Sequence, residues 1–255
     1  AVTARMEKLF GMQDYMQLEG LALRLVPIKS ESETNVYGLL GSGRVNTNAL
    51  FDNVTEKWRW GNFDQEDTYV AHSYGPSVQS MQFAMQRGAL ALLEEGDRDR
   101  AVALVDEYFD AFPDMNFEYN IHAAYMLGIY SQADAYDKAK PHMQILARNI
   151  EQRLDYFMSL DDGVLQRSYG TDFQASIAVA DRLVAYATLA GDTDYVNELR
   201  SVFGSFLQPE VPQQIPGGAL DGPAQPSSPT LPPGAASPPA QGQGTDAPVQ
   251  QGSNE

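Results

Sequence analysis

The apolar residues of this chain follow helical spacing over most of its length and alternate like a strand at one place. Leu21, Leu23 and Leu25 alternate with smaller or charged residues, which predicts a strand within 18–28 that Pro27 closes. Before this strand, the apolar residues over 2–17 recur at helical spacing and predict a helix. Residues 48–58 predict a second, short helix.

From Tyr74 onward the pattern predicts helices throughout. Gly96-Asp97 and Gly191-Asp192 indicate two of the turns, because glycine commonly ends a helix and aspartate commonly caps the next one. The predicted helices span about 77–95, a stretch ending at Pro113, then 117–130, 136–158, 173–189 and 194–206.

One turn recurs between these predicted helices. The run from Leu93 to Ala101 matches the turn of a tetratricopeptide (TPR) repeat, and Pro113 lies where that repeat usually ends. Two looser matches follow, at 130–139 and at 189–194. Together they predict an all-α, TPR-like array of antiparallel helix pairs. An ordinary antiparallel bundle with Gly-Asp turns is the alternative that the sequence leaves open.

Composition divides the chain into three parts. Residues 208–255 hold 11 of the 15 prolines and no Phe, Trp, Tyr, Lys or Arg, so they lack the large apolar groups that offset the entropy of ordering. We expect a disordered tail there. Residues 1–73 are expected to form an N-terminal helix, a short extended segment and a Trp-containing junction, and residues 74–207 the TPR-like domain.

The charge of the chain argues against several classes of partner. With 34 acidic and 17 basic residues the net charge is −17, and the tail accounts for only −4 of it. No run of Lys and Arg is present, so neither nucleic-acid binding nor electrostatic docking on anionic lipid is expected. The chain has no cysteine, and no apolar run approaches the ~18–20 residues of a membrane span. Because it starts at Ala1 rather than Met, we expect a processed protein or a piece of a longer one.

A search for catalytic chemistry is negative. The three histidines, His72, His122 and His142, are far apart in sequence and form no metal-binding pattern. Two acidic groups, at 64–67 and at 161–162, do not fit a calcium-binding loop, and we interpret them as solvated loop acids. The sequence therefore predicts no catalytic residue, no cofactor and no metal ligand.

Aromatic residues are the candidates for contact with a partner. Trp58 and Trp60 are two apart, with Tyr69 and Tyr74 soon after, and in an extended segment the two tryptophans would lie on one side. Such a pair suits stacking on a sugar ring. The alternative is that the pair packs the junction between the N-terminal segment and the helices.

Three further tyrosines are candidates in the helical part. Tyr119, Tyr125 and Tyr130 recur where they would line the concave face of a TPR-like array, the face on which such domains bind peptides. A packing role is again the alternative for each of them.

The order of several short motifs resembles one family. The stretch Glu19–Lys29 with its Arg-Leu-Val-Pro, then Phe51-Asp-Asn53, then Lys57–Asn62 with its Trp-Gly-Asn, precede the TPR-like helices. This order resembles the C-terminal soluble region of bacterial multi-pass membrane proteins similar to protein O-mannosyltransferases, which are GT-C-type glycosyltransferases. The resemblance covers about residues 1–206, and Phe51 stands where a tyrosine is expected.

The resemblance implies a binding role without catalysis. The presumed catalytic acids of that family lie in loops of the membrane domain, which this chain lacks, so no catalytic residue is carried over. It implies a location on the periplasmic side of the inner membrane, attached through a preceding transmembrane region, and binding of an acceptor polypeptide or partner subunit. The alternatives are an independent TPR-like scaffold of a cell-envelope complex, and an enzyme that acts on glycans near Trp58 and Trp60.

Overall fold

The structure, a computed structural model, describes residues 12–29, 44–63, 65 and 68–207. In this part the chain is mostly helical and has a small three-stranded sheet. The helices are α1 (Thr47–Asp52), α2 (Gly75–Glu94), α3 (Arg98–Ala111), α4 (Ile121–Gln132), α5 (Tyr136–Met158), α6 (Asp162–Val164), α7 (Gly170–Leu189) and α8 (Thr193–Phe203). Several predicted features lie outside the described residues: the helix over residues 2–11, the acids Asp64, Glu66 and Asp67, and the tail 208–255.

The sheet replaces two of the predicted elements. Its strands are β1 (Met16–Leu18), β2 (Leu23–Leu25) and β3 (Arg44–Val45), in the order β2-β1-β3. β1 is antiparallel to β2 and parallel to β3. The predicted single strand within 18–28 is therefore wrong, because Gly20 adopts the left-handed φ of 125° and turns the chain back after β1. The predicted helix also fails at its end, where a 3₁₀ turn leads into β1.

The short helix α1 connects the sheet to the helical part. Asn46 caps it, since its side-chain oxygen accepts a hydrogen bond from the backbone N–H of Ala49 at 3.2 Å. A π-helical turn continues it to Lys57, so the predicted helix over 48–58 is confirmed. Leu50 is fully buried against Gly88 of α2, where an added Cβ would overlap it. This close approach holds the N-terminal part against α2.

Three antiparallel helix pairs, α2–α3, α4–α5 and α7–α8, share one turn. In each pair a backbone N–H after the turn donates to a carbonyl five residues earlier in the first helix. The donors and acceptors are Asp97 to Leu92 (2.8 Å), Ala135 to Tyr130 (2.8 Å) and Asp192 to Ala187 (3.0 Å). The residue before each donor is left-handed: Gly96, Asp134 and Gly191.

Successive pairs stack through their first helices. α4 packs against both α2 and α3, and α7 packs against both α4 and α5. Phe83 of α2 lies against His122 with ring centroids 4.8 Å apart, and the turn that follows α4 contacts the start of α3 through the Arg98–Asp134 ion pair. These two contacts make α2 and α4 run parallel. As a result α4 lies between its neighbours, and residues 123–130 are all buried.

The predicted helix boundaries hold closely except at α4. α5 begins and ends where the sequence predicts, and α2, α7 and α8 differ from their predictions by a few residues at an end. α4 begins at Ile121 rather than near Phe117, because the side chain of Asn120 accepts a hydrogen bond from the backbone N–H of His122 and caps the helix there. Tyr119 therefore lies in the loop before α4.

Candidate functional site

A pocket of about 570 Å³ opens between the α4–α5 turn and the end of α7. Two segments more than fifty residues apart in sequence meet there. It is lined by Ser131, Gln132, Asp134, Tyr136, Asp137, Leu189 and Ala190.

The α4–α5 turn has an unusual conformation at the pocket. Asp134 is left-handed, with a φ of 60°, a conformation that costs free energy in a residue with a side chain. Ala135, at the position that caps α5, has no side-chain oxygen and makes no capping hydrogen bond. The other two pairs have glycine and a capping aspartate at these positions. The pocket thus lies on the turn that departs from the shared pattern.

Hydrogen bonds hold the phenol of Tyr136 in the pocket wall. Its hydroxyl donates to Asp192 at 2.9 Å, and the same carboxylate oxygen is 2.6 Å from the Lys140 ammonium nitrogen. The hydrogen bond from Lys140 lowers the pKa of Asp192, and Asp192 in turn raises the pKa of Lys140. Asp192 also caps α8. A change in this group therefore affects both the pocket wall and the last helix pair.

The pocket combines carboxylates with an apolar edge. Asp134 and Asp137 supply two carboxylates, and Asp134 also pairs with Arg98 at the rim. Leu189 is 59% exposed and offers its aliphatic side chain on the opposite side. A long cationic side chain matches both features, because its stem packs on apolar atoms while its charge meets a carboxylate. The chemistry of this lining is binding.

The two tryptophans pack the junction. Their ring centroids are 5.5 Å apart in an edge-on arrangement, and Trp60 lies 5.3 Å from Phe112. The indole N–H of Trp60 donates to Glu107 of α3 at 2.6 Å. A Cβ on Gly20 would contact Trp58, which places this indole against the β1–β2 turn. Both indoles are half-buried, which favours the packing alternative over sugar stacking.

The tyrosines expected on a concave face lie in the interior. Tyr119, Tyr125 and Tyr130 are each less than 5% exposed, so their burial supports packing rather than contact with a partner. The hydroxyl of Tyr130 donates to Asp106 at 2.6 Å, and that of Tyr119 is 3.0 Å from Nδ1 of His142. The guanidinium of Arg182 lies over the ring of Tyr125 at 4.9 Å. The expectation of an exposed tyrosine face fails because α4 is enclosed by α2 and α7.

Two candidate tyrosines do lie on the surface. Tyr69 is 86% exposed, and Tyr74, at the start of α2, is 56% exposed. Neither lines the pocket. They stay candidates for contact with a partner.

Metal binding and membrane crossing find no support in the described residues. No group of three or more His, Asp and Glu side chains is placed to hold a metal ion within those ranges. Asp161 and Asp162 lie at the start of α6 and are exposed, as expected for solvated acids. Among the same residues, no helix combines the length and the apolar character that a bilayer span requires.

Sequence reasoning missed the pocket although one signal was present. The loose match at 130–139 lacks the glycine and aspartate of the other two turns. That departure identifies the turn on which the pocket lies. Leu189, by contrast, reaches the pocket only through the stacking of α7 on α4 and α5.

Comparisons with known proteins identify no family. We found no match to the chain among protein-family models, among curated proteins or among solved structures.

Proposed function

We propose that this chain is a TPR-like, polypeptide-binding accessory domain without catalytic activity, belonging to a membrane glycosyltransferase-like protein. Two features support the TPR-like assignment: the turn repeated in three helix pairs, and the packing of α4 and α7 on both helices of the preceding pair. Stacked pairs of this kind bury faces that a single pair leaves open.

The pocket at the α4–α5 turn carries the binding proposal. Asp134 and Asp137 face an apolar side chain across about 570 Å³, a volume that suits one or two side chains of a polypeptide. We assign it to a basic side chain, Lys or Arg, followed by an apolar residue that contacts Leu189.

The charge of the helical part supports a basic partner. Residues 61–207 contain 23 acidic and 10 basic residues, a net charge of −13. This field attracts a basic segment and repels an acidic one, and its effect weakens as salt is added. Attraction at long range and the pocket at short range select for the same partner charge.

The resemblance supplies the context. The Arg-Leu-Val-Pro and Trp-Gly-Asn motifs precede the helices in the order of the O-mannosyltransferase-like family. Under this proposal the domain lies on the periplasmic side of the inner membrane and holds an acceptor polypeptide, or a partner subunit, during protein O-glycosylation. The transfer chemistry then belongs to the membrane domain of the parent protein.

Calorimetric titration with a defined peptide tests the binding. The probe is an acetylated nine-residue peptide of Ser, Thr and Gly with Arg-Leu at its centre. We expect a dissociation constant of about 0.1–1 mM, typical of a single anchored side chain, and weaker binding at high salt. The matched peptide with Glu in place of Arg is expected not to bind.

Two pairs of substitutions locate the site. Asp134→Asn with Asp137→Asn removes the pocket charge and is expected to weaken binding about tenfold. Asp161→Asn with Asp162→Asn makes the same charge change at exposed acids away from the pocket and is expected to leave binding unchanged. Equal binding of the Arg and Glu peptides, or equal loss in both double variants, would refute the assignment.

The coding sequence before Ala1 tests the family context separately. The proposal predicts about a dozen apolar helices there. An ordinary signal peptide in that place would support the independent scaffold instead, while the peptide result would stand.

A further inference from the structure

Exposed apolar side chains gather at one end of the β1–β2 hairpin. Met12, Tyr15, Leu25 and Ile28 are between 38% and 52% exposed. Met16 pairs with Leu25, and the carbonyl of Tyr15 accepts a hydrogen bond from the N–H of the residue after Leu25. This register puts the start of β1 beside the end of β2. We call this the open end of the hairpin, and a gathered apolar surface of this kind indicates an interaction site.

The charges of the hairpin are neutralised within it. Residues 12–29 contain two acids and two bases, paired as Lys29 with Asp14 (3.6 Å) and Arg24 with Glu19 (2.9 Å). No excess charge opposes the approach of this end to an apolar medium, where an unpaired charge is costly.

The rest of the chain has a different charge. Residues 1–60 contain seven basic and seven acidic residues, whereas residues 61–207 have a net charge of −13. An anionic surface repels the helical part and not the hairpin. Because salt screens charges beyond about 10 Å, the neutral apolar end approaches such a surface without opposition from distant acids.

We propose that the open end of the hairpin docks on the surface of a lipid bilayer. Leu25, Ile28 and Met12 enter the boundary between headgroups and acyl chains, and Tyr15 lies at headgroup level, where its ring meets apolar atoms and its hydroxyl meets water. The contact depends on apolar area, so it does not conflict with the absence of a basic run. It is independent of the pocket at the α4–α5 turn and of the proposed function.

Vesicle flotation with the full 255-residue chain tests this docking. The probes are vesicles of phosphatidylcholine alone and of phosphatidylcholine with phosphatidylglycerol at seven to three, at 50 and 500 mM NaCl. We expect the chain to float with both vesicle types and at both salt concentrations, because apolar contact persists when charges are screened.

Matched substitutions identify the surface. Leu25→Asp with Ile28→Asp is expected to reduce the bound fraction at least about tenfold, since two carboxylates then face the bilayer. Met115→Asp, which changes a side chain exposed to the same 51% as Leu25 in the loop before α4, is expected to leave it unchanged. Circular dichroism and thermal unfolding check that each variant folds.

Three outcomes would overturn the proposal. These are failure of the chain to float with either vesicle type, release at 500 mM NaCl, and equal binding by the Leu25/Ile28 variant. A dimer in sedimentation equilibrium that the Leu25/Ile28 variant abolishes, without vesicle binding, would assign the open end to a second copy of the chain instead.

Discussion

The outer two helix-pair turns and the middle one have the same backbone path and different residues. The outer turns place Gly96 and Gly191 at the left-handed position and an aspartate at the cap. The middle turn places Asp134 and Ala135 there, with no capping side chain. The outer turns are therefore optimised for stability, and the middle turn gives up both advantages where it lines a pocket. Local strain of this kind is commonly kept at functional sites.

Removing the outer glycines has the largest expected effect on this comparison. Gly96→Ala and Gly191→Ala each force a side chain into the left-handed region and are expected to lower the free energy of unfolding by about 1–2 kcal/mol. Urea denaturation measures the change. Gly75→Ala, at the start of α2 with open space around it, is the control and is expected to cost little.

The middle turn should respond in the opposite direction. At position 134, the glycine variant is expected to be more stable than the alanine variant by about 1 kcal/mol, because only glycine tolerates the left-handed backbone. Both variants lose the Arg98 ion pair, so their difference isolates the backbone. Equal urea midpoints for the two would show that the turn is not strained.

Adding the missing cap has a smaller expected effect. Ala135→Asp supplies an acceptor at the position of Asp97 and Asp192 and is expected to raise the free energy of unfolding by about 0.5–1 kcal/mol. Asp97→Ala, measured in parallel by urea denaturation, is expected to lower it. A destabilised Ala135→Asp variant would mean that the middle turn differs in more than its residues.

The smallest expected effect is a pH dependence of the middle pair. Burial lowers the pKa of His122 in α4 and of His142 in α5 below the usual 6.5, although Asp106 and Asp110 partly offset this at His142. The unfolded chain then binds more protons than the folded one as pH falls through 6.5, so stability falls with it. Hydrogen exchange at pH 7.5 and 5.5, corrected for intrinsic rates, is expected to show protection lost in α4 and α5 more than in α8. Equal loss in all three helices would contradict this.

Much of the helical part was predictable because its signals are local. Gly96-Asp97 and Gly191-Asp192 mark two turns by residue type alone, and the apolar stripe of α5 predicted both of its ends. The hairpin was missed because strands of three residues are too short for alternation to indicate where one ends.

The site was less predictable because it depends on packing. The burial of Tyr125 and Tyr130 follows from the enclosure of α4, and a helix apolar on all sides shows no stripe from which its neighbours can be inferred. Asp134 and Leu189 meet only after the pairs stack, so no spacing in the sequence predicts the pocket.

Hydrogen exchange with and without the Arg-Leu peptide tests the binding site most directly. The account predicts slower exchange at 131–137 and 189–192, no comparable change at the Trp58–Trp60 junction, and loss of the effect in the Asp134→Asn, Asp137→Asn variant. Protection elsewhere with no change at the middle turn would contradict it.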